Sequence, residues 1–368
     1  MTAEVIRRWR TPLAAAAAVA ATTALLALPT PGSGTPGPPD QADTLAGIWP
    51  QARTVDAAAT LPDGTTYTPA AVLDPHHIVV QIADADPDTA SLALLDPADP
   101  AHPLRLDTIP IAGGGSFDAV TVDGGHVYWM SSVADDQNRT RDTLHRADAA
   151  GHTTVLTSDT GDATFRGSSY DLQAADGRIW WTATRGSTVP TTDLRSVPAG
   201  GGTVDVRPVD GTYHLTHWPW AVDDGTGGRP VIQRNLVTGA QRTLDQPIGQ
   251  DLDCGAVWCR HVVRTTQGTV VTLGRTDGTA QTARINTDGE VPLFTDVAIV
   301  DRFEFFTAPI STQAATASER LTLYDLTNAR RVGLAVSTAE GLSGTWLWWA
   351  TGDNETMTWH LLDLATLQ

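Results

Sequence analysis

The chain has 368 residues, enough for two or three ordinary domains or for one repeat architecture. It sets 24 Lys plus Arg against 42 Asp plus Glu, a formal net charge of −18 at pH 7, and every basic residue is an arginine. The missing lysine excludes a phosphate-binding loop, a protein-kinase strand lysine and Schiff-base catalysis. The acidic balance argues against nucleic-acid binding, which needs clustered cations to neutralise phosphates.

In chain order, the first feature is a basic flank. Arg7, Arg8 and Arg10 stand against Glu4 and precede an uncharged, alanine-rich run from Thr11 to Leu28, which Pro29 and Pro31 end. A positive flank, an apolar stretch and a polar break form the pattern of an export signal. The run would reach about 27 Å as a helix, slightly short of a ~30 Å hydrocarbon core. Residues 1–29 therefore read as either an uncleaved membrane anchor or a cleaved signal peptide. The candidate cleavage sites are Thr30-Pro31-Gly32 and Gly32-Ser33-Gly34, and no Cys is present nearby for a lipoprotein anchor. Both readings place the rest of the chain outside the cytoplasm, membrane-anchored or secreted. Residues 30–44 open with TPGSGTPGPPD and read as a Pro/Gly linker, leaving 45–368 as the folded part.

That part is a repeat. A turn followed by a short apolar strand recurs as HHIVVQIAD from His76, GGHVYWMSS from Gly124, DGRIWWTAT from Asp176, GAVWCRHVV from Gly255, RFEFFTAP from Arg302 and GTWLWWATG from Gly344, with a weaker HWPWAVDDG from His217. Most are followed by a second strand that runs into a polar turn, such as SLALLDPADP from Ser91 or LTLYDLTNA from Leu321. The period is about 45 residues, as expected for four-stranded propeller blades. Side-chain patterning agrees. Ile179-Trp180-Trp181, Val127-Tyr128-Trp129-Met130 and Trp346-Leu347-Trp348-Trp349 put large apolar groups on both faces of a strand, which fits blades buried between neighbouring blades. Trp129, Trp180, Trp181, Trp220, Trp258, Trp346, Trp348 and Trp349 then read as inter-blade core. The expected fold is all-β, a single β-propeller of seven four-stranded blades, with six or eight as the alternatives.

The last unit ends after MTWHLLDLA without an outermost strand, while Ile48 to Thr60 precedes the first unit with no partner of its own. A ring left open exposes strand edges. The segment around Arg53 to Ala58 is therefore expected to close the last blade.

Asp123-Gly124-Gly125-x-Val127-x-Trp129, Asp176-Gly177-x-Ile179-x-Trp181 and Gly344-x-Trp346-x-Trp348 resemble the Asp-Gly-x-Ile-x-Phe core of the secreted TolB-like (WD40-like) propeller families found in actinobacteria. The Ser-Pro that precedes Asp-Gly in that repeat is absent, as are the Gly-His and Trp-Asp landmarks of tryptophan–aspartate repeats. The resemblance implies the fold and leaves the activity open.

Cys254 and Cys259 are the only cysteines. Fully extended, their Cα atoms would stand about 16 Å apart, but a hairpin turn at Gly255-Ala256 brings them opposite each other. In an exported chain the pair reads as a disulfide. His214, His217, Trp218 and Trp220 surround Pro219, and a proline in a strand-like run suits the free edge of an innermost strand. These four are the candidate ligand-binding residues, placed near the channel mouth; the other reading is ordinary core. No third ligand accompanies the two histidines, so no metal site is assigned.

Asp84, Asp86 and Asp88 open like a calcium loop, but Thr89 and Leu95 stand where the loop needs Gly and Glu. Asp135-Asp136 and Asp223-Asp224 read as loop carboxylates. No cofactor is expected, with structural Ca²⁺ left open. Asn138-Arg-Thr140 and Asn354-Glu-Thr356 match the glycosylation pattern. The chain contains no Gly-x-Ser-x-Gly, His-Glu-x-x-His or Gly-x-Gly-x-x-Gly. A complete scaffold without a catalytic constellation points to a non-catalytic binding module for a protein or glycan at the cell envelope. The alternatives are a hydrolase or lyase acting on envelope or extracellular glycan, and a membrane-proximal sensor domain.

Overall fold

The computed structural model describes residues 44–368 except 138, 187–189, 224, 226–229, 245–250, 266–267, 280–281, 288, 311–317 and 354–355. Residues 1–43, where an export segment and most of the linker are expected, and both asparagines of the glycosylation patterns lie outside the described residues, as does Asp224. Among the described residues no helix is long and apolar enough to cross a membrane.

Among the described residues, twenty-nine strands form seven antiparallel sheets, each built from strands consecutive in sequence except the last. Blade 1 runs from β2 (Tyr67–Asp74) to β5 (Leu104–Pro110), and blade 2 from β6 (Ser116–Asp123) through β7 (His126–Ala134) to β9 (Thr153–Thr157). Blade 3 comprises β10 (Asp162–Ala163), β11 (Leu172–Ala175), β12 (Arg178–Thr184), β13 (Thr191–Pro198) and β14 (Asp205–Asp210). Blade 4 runs from β15 (Tyr213–Leu215) and β16 (Trp220–Asp223) to β18 (Gln241–Leu244), and blade 5 from β19 (Asp251–Cys254) and β20 (Trp258–Thr265) to β22 (Thr282–Asn286). Blade 6 runs from β23 (Val291–Pro292) and β24 (Phe303–Pro309) to β26 (Arg330–Ser337). Blade 7 holds β27 (Ala339–Ser343), β28 (Trp346–Thr351) and β29 (Thr358–Asp363), with β1 (Arg53–Ala58) as its outermost strand. The chain is a seven-bladed β-propeller.

The closure is as the sequence predicts. β1 pairs antiparallel with β29 along its whole length, from Arg53↔Asp363 to Ala58↔Thr358. Arg53 adds an ion pair to Asp363 at 3.4 Å, and Gln51 donates to the carbonyl of Gln368 at 2.8 Å. The recurring Asp-Gly turns join first and second strands. Asp176 (φ 52°) and Gly177 (φ 70°) both adopt the left-handed region that a tight two-residue hairpin requires.

Seven apolar clusters fill the seven inter-blade interfaces. Alternate residues of one strand feed different clusters: Trp348 packs between blades 7 and 1, while Leu347 and Trp349 pack between 6 and 7. Likewise Trp129 faces blade 1, and Tyr128 and Met130 face blade 3. This is the two-sided burial that unbroken apolar runs imply. Of the tryptophans expected in the core, Trp129, Trp181, Trp258, Trp348 and Trp349 are buried, whereas Trp180, Trp220 and Trp346 are half-buried. The interface between blades 4 and 5 is built from Val222, Val231, Leu244 and the two cysteines, with no aromatic ring among the described residues.

Candidate functional site

The innermost strands of blades 3 and 6 are interrupted, and these blades stand on opposite sides of the ring. In blade 3, Ala163 pairs with Ala183 and Leu172 with Trp181, so residues 164–171 lie opposite Thr182 alone. Thr164 still bonds Thr182; residues 165–171 leave the sheet as a strap. In blade 6 the innermost strand shrinks to Val291–Pro292, and Ala298, Val300 and Asp301 take positive φ values of 51°, 49° and 58°. Such angles cost non-glycine residues of order 1–3 kcal/mol each and persist only where neighbours hold them.

The neighbour here is Arg260 of β20, 2% exposed. Its guanidinium donates to Glu304 (3.0 Å), to Asp253 (2.9 Å), and to the carbonyls of Phe294 (2.7 Å) and Asp296 (3.3 Å). Those carbonyls lack a strand ladder, so the arginine supplies the donors that the ladder would. Burial works against its charge, but the Glu304 and Asp253 carboxylates outweigh it and hold the guanidinium above its ordinary pKa. Glu304 in turn accepts from the Ala298 N–H at 2.6 Å, fixing the strained turn.

The turn presents Asp296, and the strap docks on it. The Ser169 N–H and Oγ donate to its carboxylate at 2.9 and 2.6 Å, and Ser168 Oγ donates to the other oxygen. The strap is shaped by its own Asp171, which accepts from the N–H groups of Arg166 (2.6 Å) and Ser168 (3.0 Å). Burial, the largest influence, pushes the Asp171 carboxyl above its usual range, and Asp296 adds to it. Burial likewise pushes the Tyr170 hydroxyl up. A strap from blade 3 tied to blade 6 crosses the central channel, since these blades are three apart in a ring of seven.

Two cavities flank the strap. One, about 60 Å³, lies in the channel and is lined by residues that include Tyr170, His214, Asp253, Cys254 and Asp296. The other, about 260 Å³, lies between blades 3 and 4 and is lined by Thr164, Phe165, Arg166, Ala183, Thr184, Thr192, Thr212, Tyr213 and His214. Arg166 and His214 line both. Arg166 Nη1 approaches His214 Nδ1 at 2.8 Å. A guanidinium can only donate, so Nδ1 is the acceptor in this contact.

The four candidates from sequence are placed along one hairpin but do not converge. His214, on β15, reaches the channel. His217, exposed, meets Tyr170 edge-on at 5.9 Å. Trp218 packs against Trp180 with ring centroids 4.4 Å apart and planes tilted by 34°, and donates from Nε1 to Asp176 at 3.0 Å. Trp220 lies under the Arg242 guanidinium, 4.5 Å from the ring centroid. Pro219 sits in the turn between β15 and β16, after a cis peptide bond, and not within a strand edge. The reason is that Trp220 N–H bonds the His217 carbonyl, closing the hairpin just before β16.

Cys254 and Cys259 form a disulfide across the β19–β20 hairpin. Asp84 is engaged by Arg105 at 2.5 Å and Ser91 at 2.7 Å, and Asp86 caps the Asp88 N–H at 3.0 Å. Asp135 accepts from Arg139 and Arg141; Arg139 is the main cause of its pKa falling to about 2. Asp223 is buried and accepts from the Thr212 N–H at 3.3 Å. Among the described residues no three His, Cys, Asp or Glu side chains group to hold a metal ion. Sequence reasoning missed Arg166, Ser168, Ser169, Tyr170, Asp171, Arg260 and Asp296. The one available signal was spacing: the interval from Val127 to Ile179 exceeds the mean period, and the strap is part of that excess.

No protein-family model and no curated protein matches this sequence. Solved structures do. An uncharacterized protein from Listeria monocytogenes EGD-e aligns with a TM-score of 0.50 at 10% identity, over 79% of this chain and 93% of that one. An oligogalacturonate lyase in complex with manganese gives 0.51 at 10% identity, over 86% and 100%. A prolyl endopeptidase gives 0.52 at 12% identity, over 86% of this chain but 48% of that one. At such identities the likeness is one of fold, and propellers of this kind occur in both lyases and peptidases.

Proposed function

We propose that this protein is an exported propeller that binds a ligand at the cell envelope without transforming it. The lining of the larger cavity carries this reading: threonines, two aromatic rings, Arg166 and His214, and no carboxylate among the described residues. Glycoside hydrolysis uses two carboxyl groups about 5–10 Å apart with room for the sugar between them. The channel cavity does have Asp253 and Asp296, but about 60 Å³ is room for only a handful of waters. Both carboxylates are also engaged, by Arg260 and by the strap. The disulfide suits an oxidising compartment. A glycan is favoured over a protein as the ligand because the site is concave and rich in hydroxyl groups.

The test is a panel of envelope and extracellular polysaccharides presented to the purified protein, scored for retention and for released products. We expect at least one polymer to be retained intact. Release of reducing ends or unsaturated products, abolished in Arg166→Met and His214→Gln, would overturn the binding-only reading in favour of a hydrolase or lyase. Retention of none would overturn the glycan.

A further inference from the structure

The disulfide sits one residue away from the group that anchors the strap. Cys254 and Cys259 face each other across β19 and β20, and the next pair in the same ladder is Asp253 and Arg260. β19 has only four residues and is the innermost strand of blade 5, paired on one side alone. A strand so short, with one free edge, belongs to the parts of a fold that open at low cost. The cross-link at its last residue holds it against β20.

From that pair the contacts run unbroken to the strap. Asp253 accepts from Arg260, and the same guanidinium holds the Glu304 carboxylate and the carbonyls of Phe294 and Asp296. Glu304 fixes the Ala298 N–H, and the turn so formed presents Asp296 to Ser168 and Ser169 of the strap. Cys254, Asp253, Asp296, Ser168 and Tyr170 all line the channel cavity of about 60 Å³, so cross-link, anchor and strap border one space. The strap meets blade 6 through side chains and not through a strand ladder, which makes docking sensitive to where Asp296 stands.

We propose that the Cys254–Cys259 disulfide is a redox control on the central channel. Oxidised, it keeps Asp253 against Arg260 and the strap docked across the channel. Reduced, it lets the end of β19 open, loosens the turn that carries Asp296 and frees the strap. The reductant is a dithiol: its thiolate attacks one sulfur, the S–S bond breaks as a mixed disulfide forms, and its second thiol displaces the protein sulfur. Two cysteine thiols and one oxidised dithiol result, with two electrons and two protons passed to the protein. Each cysteine is 6% exposed, beside the half-buried Ala256 and Val257 of the hairpin turn, so attack requires the same opening that loosens Asp253. On the exported reading the resting state is the docked one. This control is independent of any ligand in the cavity between blades 3 and 4.

The experiment is amide hydrogen exchange of the whole protein before and after dithiothreitol, read by mass spectrometry on peptides covering residues 165–171. The Ser169 N–H, bonded to Asp296, reports docking. Reduction is expected to speed exchange there by roughly tenfold, while β7 stays protected, and reoxidation should restore the slow rate. Cys254→Ser with Cys259→Ser should exchange like the reduced wild type; if that variant does not fold, the reduced wild type still carries the test. Asp253→Asn keeps the disulfide but weakens the link to Arg260. It should exchange faster at the strap while oxidised, and reduction should then add little. Unchanged strap exchange, with both thiols shown free by titration, would overturn the proposal, as would a disulfide that dithiothreitol fails to reduce in the folded protein. Loss of protection in β7 as well would mean that reduction opens the ring and not the strap. An equal response to reduction in Asp253→Asn and wild type would overturn the route through Asp253.

Discussion

Asp171 shows how much of this molecule is decided at single residues that carry no motif. Its carboxyl lies inside the strap, accepts two backbone N–H groups and is raised by burial above the usual carboxylate range. A carboxyl raised in the fold stabilises while protonated. Its contribution is full below about 3.8 and is lost as the pH climbs through the higher folded value. Asp171→Asn keeps an acceptor oxygen but cannot ionise. Relative to wild type, its melting temperature should therefore improve as the pH rises above about 3.8 and level off once the folded-state carboxyl has ionised. A difference that stays flat over that range would show that ionisation of Asp171 costs nothing. None of this was legible beforehand, because Asp171 looks like any loop acid until Asp296, far along the chain, packs beside it.

Among the elements, hairpins followed the sequence and interruptions did not. The Cys254–Cys259 pair lies across the hairpin that its spacing implies, because only a turn at Gly255-Ala256 brings two residues so near in sequence opposite each other. The structure adds a packing role. Both cysteines are buried in an inter-blade cluster that has no aromatic ring among the described residues. The chain-entropy estimate for so short a loop is about 2 kcal/mol. Reduction should thus lower the melting temperature by a few degrees, and Cys254→Ala with Cys259→Ala by more, since that change also removes buried sulfur. A double variant that melts with the oxidised wild type would show the bridge to be energetically idle. The broken innermost strands of blades 3 and 6 left no local trace. Phe165-Arg-Gly-Ser-Ser-Tyr170 has no distinctive pattern, and its course depends on an acceptor three blades away.

For the whole molecule, the decisive feature is closure. β1 supplies the outer strand of blade 7, so the two ends of the folded part meet in one sheet. Residues just before it add a second anchor, with Trp49 3% exposed and edge-on to Phe303 at 6.0 Å. Two truncations separate these parts. Removal of everything before Arg53 takes away Trp49, a loss comparable to the ~3–5 kcal/mol of a buried aromatic. Removal of everything before Thr60 also takes away β1 and bares the β29 edge, so its melting temperature should fall much further and the protein should tend to aggregate. Equal melting of the two truncations would mean that β1 contributes little to ring stability.

The sequence by itself determined the blade repeat, the all-β class, the closing strand and the disulfide. Each is written in local terms, as a period, an alternation, an unpaired segment or a spacing, and each follows from burying apolar side chains on both faces of short strands. Only the tertiary structure decided where the channel is crossed, which arginine faces a cavity and how His214, His217, Trp218 and Trp220 are divided among different surroundings. Those outcomes depend on polar groups from different blades meeting with their hydrogen bonds satisfied. A ring brings such groups together without regard to their distance along the chain.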